Sequence, residues 1–211
     1  MSGAERRGSK IAKKLRIGII VTMVLGLLNA GCGATDVQKT GPGNDMEAIT
    51  EHLSRYSNDP EEHAKTEDLA VIYDYPDFLK MEPWYAFVEK VHAEEPAYVD
   101  IVNYTTEGDS IFYYVYYDGK EFLVVQDNTR DQFGSPVVLK EKYKNLYEFT
   151  EEAEKGGTIY TVVLSDVELT SLEHTYEVFW QVHAEWEAGE YDPDTSEYER
   201  FPCTLIRVGL D

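Results

Sequence analysis

The chain has 211 residues, of which 19 are basic and 40 acidic, for a net charge of −21 and only two cysteines. So acidic a chain is repelled by nucleic-acid phosphates, which excludes DNA and RNA as partners. Two cysteines, Cys32 and Cys203, give no disulfide framework.

The N-terminus is the exception to the acidic balance. Arg6, Arg7, Lys10, Lys13, Lys14 and Arg16 precede an apolar run, Ile17 to Leu28, and then Asn29-Ala30-Gly31-Cys32. A basic head, a short apolar run and small residues read as an export signal; a membrane-spanning helix needs roughly 20 apolar residues. The small residues directly before Cys32 resemble the lipobox of bacterial lipoproteins, where the thiol is diacylated and the chain is cut before it. That resemblance implies a signal over residues 1–31, Cys32 as lipid anchor, and a place on the extracytoplasmic face of the cell membrane. Two acyl chains hold a protein stably where one does not. The lipobox usually has Leu three residues before the cysteine, where this chain has Asn29. An ordinary secretory signal cut near Ala30 or Ala34, and an uncut signal anchor, stand as alternative readings. Cleavage before Cys32 removes six basic residues and Glu5, so 13 basic and 39 acidic remain, or −26. Such a body is expected to stand off anionic headgroups. Export without disulfides points to a Gram-positive surface. Cys203, within Phe201-Pro202-Cys203-Thr204-Leu205, reads as a small buried hydrophobe on a strand.

Residues 33–44, rich in Gly, Thr and Pro, read as a flexible tether. Asp45 offers an N-cap to a short helix with Met46, Ile49, Leu53 and Tyr56 on one side. Ser57 to Asp68 is polar and reads as a loop. Leu69 to Tyr73 reads as a short strand. A helix starts near Glu82, with Pro83 in its first turn and Trp84, Phe87, Val88 and Val91 on one face. From Tyr98 the period becomes two. Ile111 to Tyr117 and Lys120 to Gln126 form a hairpin about Asp118-Gly119, with Tyr117 expected opposite Lys120, Val115 opposite Phe122 and Tyr114 opposite Leu123. Both faces are apolar or aromatic, which puts this hairpin in the middle of a sheet. Val137 to Tyr143 and Thr158 to Leu164 add strands. Thr170 to Gly189 is helical by length, with Ser171 as cap and Leu172, Tyr176, Phe179, His183 and Trp186 along one side, although Tyr176, Val178, Trp180 and Val182 also alternate as in a strand. Tyr198 to Val208 reads as the last strand. The fold class is α+β: an antiparallel meander of four or five strands with a helix on one face, a domain over residues 45–165, and a C-terminal extension, 166–211, packed on it.

Within the meander, Ile101-Val102-Asn103-Tyr104-Thr105-Thr106-Glu107-Gly108-Asp109-Ser110-Ile111, Tyr117-Asp118-Gly119-Lys120 and Asp127-Asn128-Thr129-Arg130-Asp131-Gln132-Phe133-Gly134 resemble the signature of a domain of unknown function in Bacillus-type surface lipoproteins. The resemblance implies a surface location and an α+β domain, and it implies no activity.

Two groups of residues are candidates for function. Asp109, Asp127, Asn128 and Asp131 gather oxygens at a strand end, enough to suggest a loop for a cation such as calcium or for another ligand; Arg130 pairing with Asp127 or Asp131 is the structural alternative. Phe112, Tyr114 and Tyr116 share one strand face and offer an aromatic binding platform. Asp192-Pro193-Asp194-Thr195-Ser196 mimics the start of a calcium loop but has Glu197 at the glycine position. His174, His183 and Glu187 fit no zinc spacing. No nucleophile elbow, P-loop or dinucleotide fingerprint occurs, and no cofactor is expected. The reading is a membrane-anchored binding module for a surface protein or wall component. The alternative is a hydrolase of envelope polymers using acids near Asp109 and Asp127.

Overall fold

Where the sequence period switches between 3.6 and two, the chain switches between helix and strand. The computed structural model describes residues 41–72, 79–153, 156–189 and 202–210. Its elements follow as α1 (Met46–Ser54), α2 (Pro60–Lys65), β1 (Leu69–Ile72), α3 (Glu82–His92), β2 (Ala97–Tyr104), β3 (Ser110–Tyr117), β4 (Phe122–Asp127), β5 (Val138–Tyr143), β6 (Asn145–Glu152), β7 (Thr158–Ser165), α4 (Leu172–Ala188) and β8 (Cys203–Leu210). Cys32, Tyr73 and the Asp192–Glu197 segment lie outside the described residues.

The fold is α+β, as expected, with two sheets. The first has five strands in the order β1-β2-β3-β4-β5, and the second has three in the order β6-β7-β8. β2 to β5 form the antiparallel meander, with β3 at its centre. β1 joins its edge in parallel, so the sheet is mixed. The second sheet is an addition to the single meander read from the sequence. Its first strand, β6, is Asn-Leu-Tyr-Glu-Phe-Thr-Glu-Glu, whose charges mask its alternation, and it is an edge strand like β5. β8 pairs with β7 and so completes that sheet from the C-terminal region.

Three apolar clusters hold the layers. Trp84, Phe87 and Val88 of α3 pack with Val99 and Ile101 of β2, Val115 of β3, and Val162 and Leu164 of β7, so α3 and both sheets share one core. The opposite face of the first sheet carries Val102, Phe112, Tyr114 and Val125, covered by Ile49 and Leu53 of α1. Val178 and Val182 of α4 pack on Val163 of β7 with Tyr147 and Phe149 nearby. α4 is thus a helix, capped by the Ser171 hydroxyl, which accepts the His174 N–H at 3.0 Å. Among its described side chains the buried ones are Thr175, Val178 and Val182, and not the side read from the sequence, of which Tyr176 and Phe179 are exposed; Trp180, from the alternating set, is exposed too. A stripe centred on Val178 fits the sheet better than bulky rings. The Trp186 side chain lies outside the described residues.

Two local corrections have clear causes. The segment 57–68 contains α2, because the Asp59 carboxylate accepts the Glu61 N–H at 2.9 Å and Pro60 starts the turn. The hairpin has the faces expected of it but a different register: Tyr117 stands opposite Phe122, Val115 opposite Val124 and Tyr114 opposite Val125. The Asp118 carboxylate accepts the N–H groups of Lys120 and Glu121 at 2.8 and 2.9 Å, which extends the loop to Asp118–Glu121. Gly119 sits there at φ +97°, open to glycine. The register moves by two residues, so every side chain keeps its side of the sheet.

The Glu121 N–H, then that of Lys120, holds the Asp118 carboxyl below the usual carboxylate range. A lowered pKa stabilises the fold above the unfolded value of about 4 and loses that contribution as pH falls through the folded pKa. Asp118→Ala is expected to cost about 1 kcal/mol at pH 7. Urea unfolding of the two proteins at pH 7 and pH 3 checks this: the gap should narrow at pH 3.

Candidate functional site

The oxygen-rich loop after β4 is a structural clasp. Asp127, buried, accepts the N–H of Thr129 at 2.9 Å and its hydroxyl at 2.6 Å. Asp131 accepts the N–H groups of Phe133 and Gly134 at 2.9 and 2.8 Å. Asn128 accepts from the Gln126 amide at 2.8 Å. Asp109 reaches the loop from the other strand pair, accepting the Gln132 N–H at 2.9 Å and its side-chain amide at 3.0 Å. These carboxylates therefore neutralise loop N–H dipoles one by one. Among the described residues no three His, Cys, Asp or Glu side chains converge as a cation shell.

Arg130 ties the loop down, though to other partners than the neighbouring aspartates. Its guanidinium donates to the Leu53 carbonyl at 2.9 Å and the Ser57 carbonyl at 3.5 Å, beyond the C-terminal end of α1, and lies 4.2 Å over the Phe112 ring. A cation at helix-terminal carbonyls and over an aromatic face is doubly favoured.

The aromatic platform is not a surface. Phe112 and Tyr114 are fully buried under α1, and Tyr116 is only partly exposed. The cause is α1 itself: Ile49 and Leu53 need an apolar partner, and this face is the one available. Tyr56 stacks on Phe112 at 5.3 Å, and Tyr98 stacks on Tyr114 at 5.6 Å.

Covering that face creates a cleft. It has a volume of about 760 Å³ and is lined among others by Gly41, His52, Tyr56, Asp68, Tyr98 and Asp100. The end of the expected tether forms part of it: Gly41 lies so close to Tyr98 that a Cβ there would meet the ring at 2.5 Å. Asp100, on the α1 side of β2, is 1% exposed. Its Oδ2 accepts the Tyr56 hydroxyl and the His52 Nε2–H, both at 2.7 Å. Its Oδ1, shielded from solvent, has no hydrogen-bond partner among the described residues. Burial, then the Asp100 charge, pushes the Tyr56 hydroxyl well above the usual tyrosine range, so it stays a donor. Burial likewise raises Tyr114.

Beneath the cleft His63 is fixed at both ring nitrogens. Nδ1 meets the Tyr104 hydroxyl at 2.6 Å and Nε2 the Ser57 carbonyl at 2.7 Å. A carbonyl only accepts, so Nε2 carries the proton and Tyr104 donates to Nδ1. Burial pushes His63 below the ordinary histidine value, which keeps it neutral. The unfolded chain then takes up a proton that the folded one refuses, so stability falls as pH drops from about 6.5 towards the folded pKa. Thermal melts from pH 7.5 to 5 should show that slope, and His63→Asn, less stable throughout, should flatten it.

Cys203 begins β8 and is partly buried beside the core; burial pushes its thiol up to about 12, which makes it a poor nucleophile. His174 bonds to Thr170, and His183 lies 3.9 Å from Glu187.

Sequence reasoning missed the Asp100 site because its members are far apart, His52 and Tyr56 standing 48 and 44 residues before Asp100. One signal was available: a charged residue between Tyr98 and Val102 on an otherwise apolar strand face.

The fold and the cleft define an α+β domain with one buried, incompletely paired carboxylate in a cleft wall. Residues 70–161 match the model of a family described as a domain of unknown function, DUF4362. That span holds all three motifs and Asp100, while His52 of α1 and Tyr56 just beyond that helix precede it. No curated protein and no solved structure matches the chain. Among the described residues no helix is long and apolar enough to cross a membrane.

Proposed function

We propose that the chain is a lipid-anchored lipoprotein of the extracytoplasmic membrane face, a non-enzymatic binding module whose ligand enters the cleft over Asp100. The observation that carries the binding reading is the Asp100 carboxylate, buried with one oxygen unpaired. Leaving a buried acceptor unmet costs about 1–3 kcal/mol, and folds keep such defects mainly where function needs them. Binding is favoured over catalysis by the surroundings of His52. Asp100 holds its ring as a carboxylate holds a general base, yet among the described residues no serine, threonine or cysteine bonds to it as a nucleophile would. Hydrolysis through Asp109 and Asp127 has weaker support, since both carboxylates are engaged by loop donors. The anchor rests on the sequence before Cys32.

Two measurements test this. Metabolic palmitate should label the chain and be lost on Cys32→Ala; label retained in that variant removes the anchor. Fragment screening by NMR should move the His52 and Tyr56 resonances together; a screen that leaves both in place removes the cleft as a ligand site.

A further inference from the structure

Resting on the reading of the cleft as a ligand site, we infer that its ligand is a small organic molecule bearing a primary ammonium group. Charge sets the sign. Glu51, Glu62, Asp68 and Asp100 line the cleft with one arginine, Arg55, which pairs with Glu51 at 2.7 Å, so three carboxylates remain in excess. His63 supplies neither charge nor a spare donor, because both its nitrogens are bonded. An anion would enter against a carboxylate excess.

The hydrogen-bond inventory selects a primary ammonium. Asp100 Oδ1 is an acceptor in want of an N–H. A quaternary ammonium has none to give, and an ammonium has three. A hard metal ion lacks its shell, since no three candidate side chains converge among the described residues.

Aromatic rings complete the site. Tyr56, Tyr98 and Tyr114 surround His52 with centroids 5.9, 6.0 and 6.1 Å from its ring. A cation placed among such rings gains from their quadrupoles. His52 marks the place that the ligand takes: its N–H sits on Oδ2 of Asp100 at 2.7 Å, and an ammonium there has N–H groups for Oδ2 and for Oδ1 as well.

The test uses the full-length chain in detergent, titrated calorimetrically with n-butylammonium, tetramethylammonium, n-butanol and calcium chloride while the His52 and Tyr56 resonances are followed. n-Butylammonium should bind one to one and move both resonances, with tetramethylammonium about tenfold weaker and butanol silent. Asp100→Asn should weaken n-butylammonium about tenfold. Should that variant fail to fold, the exposed variant Glu62→Gln should weaken it about twofold by lost charge. Equal binding of butanol or tetramethylammonium, calcium binding in preference to n-butylammonium, or unchanged affinity in the folded variants overturns the inference. If another probe moves the two resonances and n-butylammonium does not, the ligand class is wrong and the cleft stands. If no probe moves them, both readings fall.

Discussion

Trp84→Ala should lower the unfolding free energy by about 3–5 kcal/mol, the range for deleting a fully buried indole. Trp84 has no exposed surface and stands where α3 meets both sheets. Its ring lies 5.4 Å from Phe87 on the same helix. Its Nε1–H donates to the Tyr160 hydroxyl of β7 at 3.0 Å, and that hydroxyl donates in turn to the Glu148 carboxylate of β6. Truncation therefore opens a cavity and unlinks this chain of bonds at once. Trp84→Phe separates the two effects: it fills most of the volume and forfeits the hydrogen bond, for about 1 kcal/mol plus a smaller cavity term. Urea unfolding monitored by circular dichroism checks both. A loss below about 1 kcal/mol for the alanine variant contradicts the shared core.

Tyr114→Ala should cost a similar amount, about 3–5 kcal/mol, with a more local signature. Tyr114 is fully buried, stacks on Tyr98 and Tyr116, and meets His52 edge-on. It shares a cluster with Ile49 and Leu53, the two residues by which α1 holds the sheet. A helix of nine residues is not stable alone in water, so it depends on that contact. The expected result is faster hydrogen exchange in α1 and loss of the cleft, beyond the global loss. Tyr116→Ala, partly exposed, should cost about 1 kcal/mol and leave α1 protected. Equal exchange in both variants sinks the assignment. The Tyr114 variant is thus a probe of folding and not of a surface platform.

The fold was legible where local rules act alone. Asp45 announced α1, Pro83 and the Trp84–Val91 stripe announced α3, and the alternation about Val115 announced the central hairpin. Legibility ended where a side chain replaced a backbone rule or a partner lay far off. Asp118 lengthened its own turn through its carboxylate, which no turn dipeptide reveals. β6 hid because Glu148, Glu151 and Glu152 punctuate its apolar positions. The aromatic face of β3 was correctly grouped and wrongly given to solvent, because the sequence shows which rings share a side but not that α1 lies across them. The site was the least legible part: Asp100 gains its meaning from two residues on a helix and loop that pack over it only in three dimensions.

Two of the four edge strands, β5 and β6, carry one further consequence. β5 presents Lys140, Glu141 and Lys142, and β6 presents Glu148, Glu151 and Glu152, along borders that end the ladder. Open ladder borders invite a neighbouring copy to extend them, and charges there oppose it. Wherever copies are crowded, that opposition works against fibre growth: two β6 borders brought together would face glutamate with glutamate.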